Sequence, residues 1–80
     1  MPTVLRVRGL QFYFYAQDRG EPPHIHVAKA GADAKFWLQP ISLALNHGFR
    51  PHDLKDIFRI IEENEALLLE RWNEFFGPEN

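Results

Sequence analysis

Two histidines stand two residues apart in the run Pro22-Pro23-His24-Ile25-His26-Val27. On a strand, both imidazoles would leave the same face with their Cα atoms about 6.5–7 Å apart. Imidazole titrates near neutral pH and is the usual general acid or base. With Lys35 beside it, the pair has the parts for metal-independent cleavage of an RNA phosphodiester. One imidazole takes the 2′-hydroxyl proton, the other protonates the leaving oxygen, and the ammonium stabilises charge on the phosphorane. The expected catalytic residues on this reading are His24, His26 and Lys35, with no metal and no cofactor. The same residue types admit a metal site completed by Asp18, Glu21 or His52, or a purely structural or partner-contact role. The spacing alone leaves these open.

The surroundings of the pair favour RNA. Period-2 alternation collects Arg6, Arg8, Tyr13, Tyr15, His24, His26, Lys35 and Trp37 on one sheet face. Aromatic rings stack on unpaired bases and cations meet phosphates, so Arg6, Arg8, Tyr13, Tyr15 and Trp37 are the expected nucleic-acid contacts. The plainer alternative packs the Tyr and Trp rings under loops or a dimer contact, with the long cations lying around them. No serine or cysteine is placed as a nucleophile, and no glycine-rich phosphate loop is present. Glu62, Glu63, Glu65, Glu70 and Glu74 read as a solvated helix face, His47 as a residue at a helix end, and His52 as one in a first helical turn.

The elements that must position these residues are short. Thr3 to Arg8 and Gln11 to Ala16 are rich in β-branched and aromatic residues, and Gly9-Leu10 suits a two-residue turn between them. Residues 17–23 are turn and loop chemistry, and His24 to Lys29 is a third strand. After Ala30-Gly31-Ala32 turns the chain, Asp33 to Leu38 alternates as a fourth strand that Pro40 closes. Leu5, Val7, Phe12, Phe14, Ile25, Val27 and Phe36, with Leu38 or Ala34, form the core face. Pro40 to Asn46 reads as a short helix ending at Gly48, although Ile41, Leu43 and Leu45 also alternate as a strand does.

From Pro51 the pattern is helical to Phe76, with apolar residues at Leu54, Ile57, Phe58, Ile61, Leu68, Trp72, Phe75 and Phe76 and a stop at Gly77-Pro78. A straight helix of that span is about 39 Å long and overhangs a strand of roughly 20 Å. Glu62-Glu63-Asn64-Glu65 interrupts its stripe, so the aromatic end needs separate cover. Either Ile41 to Leu45 supplies it, or Trp72, Phe75 and Phe76 bind a partner. The order short helix, turn, helix also suggests a helix-turn-helix, but Asp53, Asp56, Glu62 and Glu63 make the second helix too acidic for DNA. The expected fold is α+β: a four-stranded antiparallel sheet over residues 1–39, a short helix or turn at 40–50, and a long helix at 51–76 across one face.

Composition bounds the rest. A chain of 80 residues with 45% hydrophobic and 25% charged residues is a single folded domain rather than a disordered one. The absence of cysteine excludes disulfides and thiolate metal sites. No apolar run reaches the ~20 residues that cross a bilayer, and the first residues lack the pattern of a signal peptide, so a cytoplasmic location is expected. Residues 1–50 sum to +3 and residues 51–80 to −5, giving the net −2. That is a mildly basic half beside an acidic element, not the charge of a dedicated nucleic-acid binder.

The pieces Pro2-Thr3-Val4-Leu5-Arg6, Phe12-Tyr13-Phe14-Tyr15, Pro22-Pro23-His24-Ile25-His26-Val27, Ala34-Lys35-Phe36-Trp37-Leu38 and Gly48-Phe49 resemble, in order and spacing, the small prokaryotic family called domain of unknown function 4160. Members of that family are similar in gene setting to toxin–antitoxin modules, often beside a second small family, domain of unknown function 2442. The resemblance thus implies a partner encoded by a neighbouring gene, with a homodimer and RNA as further expected associations and no membrane. Its motifs fall on His24, His26, Lys35 and Trp37. The two functional expectations are an RNA-directed toxin with metal-independent ribonuclease chemistry and a non-enzymatic interaction module of antitoxin type.

Overall fold

A computed structural model describes residues 3–77. It is α+β, with an antiparallel meander of five strands in the order β1-β2-β3-β4-β5, followed by two helices. The strands are β1 (Thr3–Val7), β2 (Leu10–Tyr13), β3 (His24–Lys29), β4 (Ala32–Leu38) and β5 (Ile41–His47), and the helices are α1 (Pro51–Glu63) and α2 (Glu65–Phe76).

Residues 41–47 are a fifth strand, not a short helix, so the helix-turn-helix reading falls with it. Ile41 pairs with Leu38, Ser42 with Trp37 and Leu43 with Phe36. The period-2 alternation of Ile41, Leu43 and Leu45 is satisfied by an edge position, where the backbone is hydrogen-bonded on one side only. Leu43 and Leu45 stay 45% and 54% exposed on that edge. His47 accordingly ends β5 rather than a helix.

The C-terminal segment is two helices. A rod of about 39 Å would exceed the 34 Å longest dimension of the molecule. Asn64 makes the break. Its side-chain amide donates to the Ile60 carbonyl at 2.8 Å, its own carbonyl accepts from the Leu68 amide at 2.9 Å, and its backbone leaves the helical region at φ −120°. The side chain thus competes with the helix ladder, the usual behaviour of asparagine. The interrupted stripe at residues 62–65 marks this junction.

The core lies between the helices and one sheet face. Phe12 and Phe14, Ile25 and Val27, and Ala34, Phe36 and Leu38 meet Ile57, Ile60 and Ile61 of α1 and Leu68, Trp72 and Phe76 of α2. This is the apolar face expected from alternation, with Leu5 and Val7 at its margin. Phe14, just past β2, is the cover for the aromatic helix end. Its ring lies 5.3 Å from Trp72 and 5.9 Å from Phe76. Residues 41–45 are therefore not what shields that end. Trp72 and Phe76 are buried within the chain itself, and of the three expected partner contacts Phe75 alone is exposed, at 41%.

The first hairpin turns one residue earlier than expected. Arg8 and Gly9 occupy it with φ of 48° and 86°, the double positive pair of a tight hairpin turn, in which glycine carries the second position without steric cost. The shift puts Leu10 into the core and takes Arg8 off the strand.

Candidate functional site

His24 and His26 open β3 on the side of the strand opposite Ile25, and the chain between β2 and β3 folds over them. A 3-10 turn at Ala16–Asp18 brings Asp18 beneath both rings, nearly enclosed. The Tyr15 amide donates to Asp18 Oδ2 at 2.9 Å and holds the carboxylate in place. His26 Nε2 lies 3.0 Å from Oδ2 and 3.3 Å from Oδ1. His24 Nε2 lies 3.1 Å from Oδ1. The donor atoms of the three residues are all within 4.8 Å of one another.

The other nitrogen of His24 fixes its tautomer. Nδ1 is 3.0 Å from the Pro22 carbonyl oxygen, which only accepts, so the hydrogen is on Nδ1. Nε2 has no hydrogen-bond partner despite its nearness to Oδ1. The ring is 0% exposed, packed edge-on to Trp37 at 5.5 Å and against Trp72 at 5.0 Å. His26 keeps 15% of its side chain exposed. Tyr13 stacks on it at 5.4 Å, and Tyr15 meets it edge-on at 4.7 Å.

Burial pushes His26 below the usual histidine range, helped by His24 and Lys35 and opposed by the Asp18 carboxylate. Burial alone would raise Asp18, but the Tyr15 amide and the two imidazoles outweigh it, and its carboxyl sits below the ordinary value. Burial, with Tyr15 and the charges of Asp33 and Asp18, raises the Tyr13 phenol, which is therefore neutral at physiological pH.

Lys35 sits opposite His26 in the β3–β4 register, and Trp37 opposite His24. The Lys35 ammonium is 2.8 Å from Glu21 Oε1 and 4.6 Å above the Trp37 ring, so its charge is already paired. His24, His26, Lys35, Tyr13, Tyr15 and Trp37 thus come together around one carboxylate. Arg6 lies apart on the edge strand, in the row of Gln11, Ala28 and Asp33, and Arg8 sits in the hairpin turn. Of the three acids and histidines named as third ligands, Asp18 is in the cluster. Glu21 is 3.9 Å from His24 Nδ1 but pairs with Lys35. His52 is exposed on α1, 3.6 Å from Asp56.

What the sequence pattern leaves out is the burial of His24 and Asp18, and the part played by Trp72. The signal for Asp18 was its place in a Gly/Pro-rich loop just before the histidines, which could return to them; for Trp72 no local signal exists. The model of the family described as Domain of unknown function (DUF4160) matches residues 9–73, including the whole cluster. The chain belongs to that family. No curated protein and no solved structure matches it. In this DUF4160 chain, no helix among the described residues is long and apolar enough to cross a membrane.

Proposed function

We propose that this DUF4160 protein is the RNA-directed member of a prokaryotic toxin–antitoxin-like module and that it cleaves RNA at the Asp18–His24–His26 cluster. What carries the proposal is the convergence of two imidazole Nε2 atoms on one carboxylate, at 3.1 and 3.0 Å, on a sheet face whose neighbouring side chains are aromatic and cationic. Tyr13 and Tyr15 also line an open groove of about 550 Å³ with Gln11, Lys29 and Asp33. A base stacked on the exposed Tyr15 ring and a phosphate near the Lys29 or Lys35 ammonium would bring a phosphodiester over His26.

Burial divides the roles differently from the two-histidine relay. His24 has no exposed surface and cannot touch a substrate, so it acts as a member of the cluster rather than as a general acid. His26 is the member that reaches the opening. Its ring is held by Asp18, and burial favours the neutral form that carries a lone pair. With Nε2–H donating to Asp18 the lone pair is on Nδ1 and can accept the 2′-hydroxyl proton, whereas the other tautomer presents Nε2 to a Lewis acid.

The test is induced expression of wild type and His26→Ala in a bacterial host, following growth and total RNA, with the purified proteins assayed on labelled RNA. Growth arrest with RNA loss, reduced about 100-fold in a folded His26→Ala protein, is the expected result. Equal cleavage by both proteins, or cleavage by neither, removes the proposal.

A second reading, a non-enzymatic partner-binding module, is favoured by one observation. The open edge of β5 carries exposed Leu43 and Leu45, the kind of edge to which a partner adds a strand. The partner would be the small protein encoded next door; wild type would co-purify with it and cleave no RNA, and a folded Leu43→Lys/Leu45→Lys variant would lose that co-purification.

A further inference from the structure

We propose that Asp18, His24 and His26 form a binding site for one divalent transition-metal ion of the zinc class, held by Asp18 Oδ1 and the two Nε2 atoms. The inference goes beyond the RNA reading and uses the same cluster, but it can be measured without RNA.

The decisive feature is the face that His24 turns to Asp18. Its Nδ1–H is committed to the Pro22 carbonyl, so in the neutral ring Nε2 presents a bare lone pair. That lone pair points into a closed space 3.1 Å from Oδ1, which is also an acceptor. Two acceptors at this distance, with no surface left to water and no hydrogen-bond partner on Nε2, repel unless a proton on Nε2 or a metal cation lies between them; the experiment distinguishes the two. An imidazole whose far nitrogen donates to a backbone carbonyl is also the arrangement that orients a metal-bound histidine.

The donor geometry fits an ion. Oδ2 is taken by the Tyr15 amide at 2.9 Å, which leaves Oδ1 as a single oxygen donor. Oδ1 is 3.1 Å from His24 Nε2 and 3.3 Å from His26 Nε2. An ion bound at about 2.0–2.2 Å from each donor keeps adjacent donors about 3.0–3.4 Å apart, so these separations need little adjustment. Two nitrogens and one carboxylate oxygen suit Zn²⁺, Co²⁺ or Fe²⁺ rather than Mg²⁺ or Ca²⁺, which take oxygen shells. Three protein donors would leave a coordination position free, and His26, 15% exposed, is the donor that reaches solvent. Water at that position would be a better nucleophile at neutral pH than bulk water.

The experiment is titration of chelator-stripped protein with Zn²⁺ followed by calorimetry and metal analysis, with Co²⁺ as a visible-absorption probe. Wild type is expected to take up one equivalent and to melt at higher temperature with Zn²⁺ present. Asp18→Asn and His26→Gln, chosen to keep shape, are expected to lose affinity about 100-fold or more, whereas His47→Ala on the surface is expected to bind as wild type. His24→Ala opens the core, so the two milder variants carry the test, each checked for folding by circular dichroism. No uptake by folded wild type overturns the proposal, as does uptake that both variants retain. Metal binding without RNA cleavage would leave this inference standing and remove the ribonuclease reading. Cleavage indifferent to chelator, by a protein that takes up no metal, would do the reverse.

Discussion

The Pro22 carbonyl accepts a hydrogen bond from His24 Nδ1 at 3.0 Å, and through it the residues before β3 decide which nitrogen of a buried ring faces Asp18. The cluster is therefore a property of the loop as much as of the strand, and its carboxylate is the first place to perturb.

Asp18→Ala removes the acceptor of the Tyr15 amide and the neighbour of both imidazoles. Loss of charged hydrogen bonds of this kind costs about 2–4 kcal/mol, and urea unfolding of the metal-free protein should show it. Asp18→Asn, which can still accept from Tyr15, is expected to cost less than Asp18→Ala.

Stability of the metal-free protein should fall as the solution is acidified. His26 is held below its ordinary value, so the unfolded chain takes up a proton that the folded chain resists once the pH drops below about 6.5. Asp18 is lowered as well, and its contribution, present above the unfolded carboxylate value, is lost as the pH falls through the folded one. Both signs agree: denaturation midpoints in chelator decline from pH 7.5 to 5.5 and again below about 4. His26→Gln should remove the upper decline and keep the lower; an unchanged upper decline in that variant would contradict the assignment.

Trp72→Ala should be among the most destabilising single changes. The ring is fully enclosed between Phe14, Phe76 and His24, and emptying such a site costs about 3–5 kcal/mol. Its indole N–H has no hydrogen-bond partner, so Trp72→Phe gives part of that back and should cost clearly less. Phe75→Ala, on the exposed side of α2, is expected to cost about 1 kcal/mol or less by the same denaturation measurement.

Asn64→Ala favours one continuous helix and removes the 2.8 Å bond to Ile60. A loss of about 0.5–1.5 kcal/mol is expected, with near-ultraviolet circular dichroism reporting whether Trp72 keeps its surroundings.

Alternation exposed much of this architecture in advance, because a period of two is a local property. Phe12, Ile25, Val27 and Phe36 read as core from their neighbours, and the His24–His26 face followed. Residues 41–47 were ambiguous because Pro40 suits a helix start as well as a turn, and pairing with β4 decided between them. Asn64 lay inside a visible gap in the stripe, yet the gap does not say that its side chain bonds the Ile60 carbonyl and breaks the helix there. Asp18 was one of several acids within reach in sequence. Its choice, and the closing of His24 beneath Trp37 and Trp72, depend on a loop crossing the sheet, which no local pattern encodes.

The 5.0 Å contact between His24 and Trp72 joins the cluster to the last helix. The contact predicts that occupancy of one and closure of the other are thermodynamically linked. A ligand that pins the His24 ring would slow amide hydrogen exchange along α2, and a partner protein that pried α2 away would loosen that ligand in the same proportion.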